Sequence, residues 1–243
     1  MIRANDTVNY AEVFGQTENH LYFLSDRLAI HKDMKHNFVA LQDATKEQGF
    51  ELKIASGYRS FDRQLSLWNN KFSGKTVLKT ITGEIVKSKD LSEHQLIYQI
   101  LLYSALPGAS RHHWGCDIDV YAPNLLAENE QLQLETWEYE KDGPFDELSQ
   151  WLRLNAHSYG FYLPYASFEG GVAFEPWHLS YLPLAKKYQQ AFNINKLANV
   201  IKLSNILGKK IILENLDDIA SRFINNVTEA PNNVRIGTLN PFN

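Results

Sequence analysis

Apolar residues recur at helical spacing from Lys32 through Phe38, Leu41 and Ala44 to Gln48, and Gly49 is placed to stop a helix there. It is the clearer of two helical stretches expected in the first forty-nine residues. Glu51 to Ala55 reads as a short strand ending at Ser56-Gly57, and Ser60 suits the N-cap of a helix carrying Gln64, Leu67 and Trp68. Val77 to Ile81 and Glu84 to Lys87 flank Thr82-Gly83, which predicts a β-hairpin. Leu91 to Ser104 is again apolar at helical spacing, stopped by Pro107 and Gly108. Gly115 to Tyr121 alternates as a strand does, with Asp117 and Asp119 on one face and Cys116, Ile118 and Val120 on the other. Pro144 to His157 predicts a helix whose buried stripe is Phe145, Leu148, Trp151, Leu152 and Leu154. Gly170-Gly171 marks a turn before a strand over Val172 to Tyr181. Pro183 opens a helix through Lys187, Tyr188 and Phe192. Leu216 to Ile224 is amphipathic, and Asn232 to Asn243 reads as a loose end. Few strands, two of them a hairpin, interspersed with helices favour an α+β fold, a small antiparallel sheet flanked by helices, over a doubly wound parallel sheet.

Composition narrows the classes of function. At 243 residues, 44% hydrophobic and 21% charged, the chain can bury a core, and its length fits one large domain or two small ones, one being favoured. A net charge of −4 with no basic tract offers no footprint for nucleic acid. The longest apolar stretch, Leu96 to Leu106, is broken by Gln99 and is too short to span a bilayer. Cys116 is the one cysteine, so neither an internal disulfide nor a thiolate zinc cage is available. Met1 to Asp6 has no apolar run of the signal-peptide kind.

Three segments carry candidate chemistry: Ser56 to Ser60 (SGYRS), Ser110 to Asp119 (SRHHWGCDID) and Glu175 to His178 (EPWH). Two imidazoles and one carboxylate make a three-ligand zinc site with an open position. His112 or His113 can supply one ligand, Asp117 or Asp119 another, and His178 the third. Glu175 is a candidate proton acceptor beside such a site and Arg59 a candidate cation for a developing oxyanion. Strand alternation would put Glu175 and His178 on opposite faces, so their cooperation requires a kink, for which Pro176 is placed. Trp114 and Trp177 fit a groove wall or the core equally, and Cys116 reads as a small buried residue. Ser73-Gly74-Lys75-Thr76 is no phosphate loop, because Asn69 stands where the first glycine is needed. His20, His31, His36, His94 and His157 lack ligand spacing.

Together these segments resemble the LAS-type zinc metallopeptidases, the bacterial D-alanyl-D-alanine carboxypeptidases and dipeptidases that include vancomycin-resistance enzymes. Ser110, His112, Gly115 and Asp119, then Glu175, Trp177 and His178, match that family's two downstream motifs, and Ser56, Gly57, Tyr58, Arg59, Ser60 and Gln64 match the upstream one. The likeness covers roughly residues 35 to 190. It implies the hedgehog/D,D-peptidase-like fold for a catalytic domain over 35–190; outside the likeness, a helical extension over 1–34 and a helical tail over 191–243 packed on that domain are expected. It further implies that His112, Asp119 and His178 hold Zn2+, that Glu175 is the general base and acid, and that Arg59 stabilises the tetrahedral intermediate or anchors substrate. Ser110, Gln64 and Tyr58 would bind a peptidoglycan-derived peptide. Asp117 departs from the family, where a small residue such as Ala is common; it is either a hydrogen-bond partner of a ligand or a solvated charge.

The implied reaction is hydrolysis of peptidoglycan-type peptides, foremost D-alanyl-D-alanine carboxypeptidase activity, with an endopeptidase or D,D-dipeptidase as variants. Such a substrate points to the periplasm or cell surface if a leader has been removed, and to the cytoplasm otherwise. Two other classes compete. A non-haem iron oxygenase also uses two His and one carboxylate, but no His stands two residues before Asp119. A non-catalytic hedgehog-like zinc module needs no base beside its metal, and Glu175 argues for an enzyme. The hairpin and helix over 75–104 are expected to wall the substrate groove or to form a surface insertion.

Overall fold

The computed structural model describes residues 8–230. A helical turn, α1 (Tyr10–Val13), leads into a hairpin of β1 (Leu21–Ser25) and β2 (Leu28–His31), then into α2 (Lys35–Glu47). β3 (Lys53–Ser56) and α3 (Phe61–Phe72) follow, then a short hairpin of β4 (Leu78–Lys79) and β5 (Ile85–Val86), and α4 (Glu93–Leu101). After these come β6 (Asp117–Tyr121), α5 (Asp146–Asn155), β7 (Phe161–Tyr162) and β8 (His178–Tyr181). Four helices end the described chain: α6 (Leu182–Ala191), α7 (Ile194–Leu203), α8 (Lys209–Glu214) and α9 (Leu216–Ile219), the last running on into a wider turn over Ala220–Ile224. The expected loose end at 232–243 lies outside the described residues.

β3, β6, β8 and β7 pair in that order, all antiparallel, into a four-stranded sheet. The α+β architecture expected from the sequence is the one found. Alternation along β6 divides its side chains as expected: Ile118 and Val120 enter the core, and Asp117 and Asp119 take the opposite face. The apolar face packs on α2, where Phe38 meets Phe161 edge-on and Tyr181 Oη donates to Asn37 Oδ1 at 3.1 Å. Val13 and Ile30 from the N-terminal segment, Phe145 from the middle and Leu197 and Phe223 from the C-terminal helices belong to one apolar cluster with them.

Local signals explain the well-placed elements. Ser60 Oγ accepts from Arg63 N–H and starts α3. Ser92 and Gln95 form a reciprocal capping box on α4. Other expectations need correcting. Only His178–Tyr181 of the predicted strand over 172–181 joins the sheet; Glu175 N–H is taken by the Tyr165 carbonyl and Pro176 has no N–H to offer. Leu154 is 71% exposed, because it lies six residues past Leu148, about 240° around the helix from it. The β1–β2 hairpin, β7, α7 and α8 were not expected from the pattern.

The hairpin carries a buried histidine pair. His20 and His31 are 3% and 5% exposed, with ring centroids 5.4 Å apart, against Tyr58 and Tyr188. Burial holds both well below the ordinary imidazole value, at about 4, with the His31 charge adding to the effect on His20 and the Lys32 charge to that on His31. His31 Nδ1 also accepts the Asp33 N–H, a bond that protonation removes. A depressed histidine pKa means that the unfolded chain binds more protons between the two values. The contribution is therefore complete above about pH 6.5 and is lost as pH falls toward 4, on the order of a few kcal/mol for the pair. Thermal melts across this range should show stability falling toward acid, with a shallower slope in a His20→Phe/His31→Asn variant. Equal slopes would refute the assignment.

Candidate active site

His112 sits on a single 3-10 turn, Arg111–Trp114, that ends at Gly115 with φ of 69°. A Cβ on Gly115 would stand 2.8 Å from Leu21 Cδ2 and 3.0 Å from His31 N, so both the turn and the hairpin beneath it require glycine. His113 anchors this turn. Its Nδ1–H donates to the Arg59 carbonyl at 2.6 Å and its Nε2 accepts the Gly108 N–H at 3.0 Å, so the ring is a buried, neutral strut. His112 Nδ1 lies 2.9 Å from the Gly57 carbonyl, which can only accept; the proton is therefore on Nδ1 and the Nε2 lone pair is free. That lone pair lies 3.4 Å from Asp119 Oδ2.

The third segment folds as a turn. His178 N–H donates to the Glu175 carbonyl at 3.1 Å, so the two side chains meet at i, i+3 in place of alternating along a strand. Asp119 and His178 are register partners on β6 and β8. His178 Nδ1 lies 3.4 Å from Asp119 Oδ1 and 3.2 Å from Glu175 Oε2, while its Nε2–H reaches Asp117 Oδ1 at 3.0 Å. One ligand atom from each of His112, Asp119 and His178 lies within 4.8 Å of the other two, and all three residues are buried. Asp117 is fully buried in an ion pair with Arg111, which settles the alternative left open by the sequence against a solvated charge.

The electrostatics of this cluster call for a cation. Burial, offset in part by His178 and reinforced by Glu175, raises Asp119 to about 7. Burial works against a charged His178, yet the hydrogen bond to Asp117, the adjoining Glu175 and the Asp119 charge outweigh it and push the ring up to about 10. Asp119 Oδ1 and His178 Nδ1 are buried without a hydrogen-bond partner. Two imidazole nitrogens and a carboxylate converging in one buried cluster are the donor set of a catalytic divalent-metal site. The residues fit such an ion.

The cluster opens on a cavity of about 460 Å³ whose wall includes Arg59, Ser110 and Glu175 as well as the three candidate ligands. Arg59 is braced by Gln64 Oε1 at 2.9 Å and Ser56 Oγ at 3.1 Å. Gln64 and Tyr58, expected to touch substrate, are placed elsewhere. Gln64 is fully buried behind Arg59, bonded to Ala105 O at 2.6 Å, because it shares the inward face of α3 with Phe61 and Trp68. Tyr58 Oη donates toward the Gly15 and Thr17 carbonyls on the far side of the 56–60 segment and lines a separate cavity. Trp114 stacks on Tyr188 in the core, whereas Trp177 is buried but reaches the cavity. Thr76 to Lys79 and Gln99 to Ala105 line the cavity, apart from Leu101 and Leu102, so the 75–104 segment is one of its walls. Lys71 on α3, Tyr165 and Arg111 are wall residues that the sequence did not single out.

The family model for the VanY D-alanyl-D-alanine carboxypeptidase matches residues 27–184. An uncharacterized protein of Haemophilus influenzae is 44% identical over 121 residues, which are 49% of this chain and 92% of that protein. A D-alanyl-D-alanine carboxypeptidase of Enterococcus faecalis is 25% identical over 67% of this chain and 53% of its own length, and YodJ of Bacillus subtilis is 30% identical over 69% and 51%. The chain thus spans about half the length of those two relatives. Among solved structures, VanYB in complex with D-alanine-D-alanine superposes with a TM-score of 0.51 at 24% identity, over 76% of this chain and 90% of that one, a likeness of fold. With the matched region running from the β1–β2 turn into α6 and enclosing the whole cluster, the chain belongs to the VanY family of D-alanyl-D-alanine carboxypeptidases.

Proposed function

We propose that this chain is a zinc-dependent carboxypeptidase that removes the terminal D-alanine from peptidoglycan-type peptides. The observation that carries the reading is the convergence of His112, Asp119 and His178 with Glu175 beside them on one cavity wall. The three residues would hold the zinc ion through His112 Nε2, the Asp119 carboxylate and His178 Nδ1. Zinc held there supplies Lewis acidity toward the scissile carbonyl and toward water. Glu175 takes a proton from the attacking water and delivers it to the leaving amine as the C–N bond breaks. Arg59, fixed by Gln64 and Ser56, presents its positive charge where the carbonyl oxygen gains negative charge.

Cleavage at a chain end requires recognition of a carboxylate, and Lys71 favours that mode over endopeptidase action. It lines the cavity with Arg59; burial, and then the Arg59 charge, lower its pKa to about 8 against the opposing pull of Glu175. A substrate carboxylate near this pair would give the buried lysine charge a partner and offset the repulsion from Arg59. Zinc-loaded protein incubated with a peptide ending in D-Ala-D-Ala should release free D-alanine, identified by mass, and an amidated peptide should be a poor substrate. Lys71→Ala should raise KM for the acid by roughly tenfold, the size of one lost charge-assisted hydrogen bond, and reduce the preference over the amide. Cleavage of the amidated peptide as fast as the acid would sink the exopeptidase reading.

A further inference from the structure

A second tier of polar residues lies beneath the candidate ligands. Asp117 and Ser180 are the register pair next to Asp119 and His178 on β6 and β8, so the two-residue period puts all four on one face of the sheet. Asp117 and Ser180 are fully buried and Arg111 is 4% exposed. Asp117 Oδ1 accepts from Arg111 Nε at 2.6 Å and from His178 Nε2 at 3.0 Å, and its Oδ2 accepts from Ser180 Oγ at 3.0 Å. Arg111 Nη2 donates to Ser180 Oγ at 2.7 Å and to Tyr162 Oη at 3.1 Å.

A buried ion pair is a poor device for stability, since desolvation of both charges offsets most of their attraction and an apolar pair of similar volume often serves as well. Its position suggests another use. Each member is tied to a ligand in the chain: Arg111 precedes His112, Asp117 lies two residues before Asp119, and Ser180 lies two after His178. We infer that Arg111 and Asp117 are positioning residues for the metal centre. Arg111 keeps Asp117 an acceptor only; Asp117 holds a proton of His178 on Nε2, so that Nδ1, which faces Asp119, is the nitrogen open to a metal. A carboxylate behind a ligating imidazole fixes its tautomer and raises its basicity, and loss of such a partner commonly costs ten- to a hundredfold in metal affinity.

The inference rests on His112, Asp119 and His178 being the metal ligands, and the test separates the two ideas. Zinc affinity is measured by chelator competition for the wild type, Asp117→Asn and an Arg111→Met/Asp117→Val variant that leaves no buried charge unpaired. Melting in chelator shows whether each variant is folded. Both variants should bind zinc about ten- to a hundredfold more weakly. In the zinc-loaded wild type, imidazole 15N spectra should show His178 protonated at Nε2 with the metal on Nδ1, a signature that packing alone would not impose. Zinc on Nε2 of His178, or wild-type affinity in either folded variant, overturns the positioning role while leaving the metal site standing. A wild type that binds no zinc overturns the metal site and this inference with it.

Discussion

Glu175→Gln protein is expected to bind zinc with an affinity close to that of the wild type and to hydrolyse peptide at least a hundredfold more slowly. Glu175 is outside the ligand triad, yet its Oε2 stands 3.2 Å from His178 Nδ1 and its side chain borders the same cavity. The backbone that carries it is pinned from both sides, by its own N–H to the Tyr165 carbonyl and by its carbonyl to His178 N–H. An amide of the same shape therefore keeps the packing and removes only the capacity to take and return a proton. General acid and base catalysis typically contributes about 10²- to 10⁴-fold, which sets the size of the loss. kcat should fall with little change in KM, since the group acts in the transition state. A variant retaining more than about a tenth of the activity would remove Glu175 from the proposed mechanism and assign the proton transfer to another group.

Much of this arrangement is legible in the sequence because it is local. Alternation over Gly115 to Tyr121 puts Asp117 and Asp119 on one face, and the structure keeps them there. Ser60 caps α3 as expected, and a hairpin does form over this segment, although its turn runs over Thr80–Gly83, with Gly83 at φ of 83°, and its strands are shorter than the pattern suggests. What was misread depends on partners distant in the chain. The run from Val172 looks extended, but Tyr165 takes the Glu175 N–H, and the resulting turn is what lets Glu175 and His178 share a site. The β1–β2 hairpin escapes a pattern search because its first strand is largely exposed and Asp26-Arg27 is not a favoured hairpin pair. Gln64 illustrates a different limit: a motif marks a residue as belonging to the site without saying whether it faces substrate or braces Arg59. Arg111 gains its meaning only from Asp117 across the turn and Ser180 on the adjoining strand, and no spacing rule connects those three.

Removing the metal should abolish activity outright and also lower stability, and the two effects share one cause. In the metal-free cluster Asp119, burdened first by burial, sits near 7, and His178 is pushed up to about 10 despite its burial, so both groups carry protons that a divalent ion must displace. Zinc binding should accordingly release protons and strengthen as pH rises. An ion at a hundred times its dissociation constant stabilises the folded state by about 2.7 kcal/mol, which for a chain of this length raises the melting temperature by roughly 5–10 °C. Scanning calorimetry with and without zinc measures that shift, and His112→Ala should erase both the shift and the hydrolysis. The substitution also frees the Gly57 carbonyl that His112 Nδ1–H now occupies, so some loss of metal-free stability is expected as well. The difference between zinc-loaded and metal-free melting within each protein cancels that loss. A His112→Ala protein with the full zinc-dependent rise would place the metal elsewhere, and the assignment of His112, Asp119 and His178 as its ligands would fall.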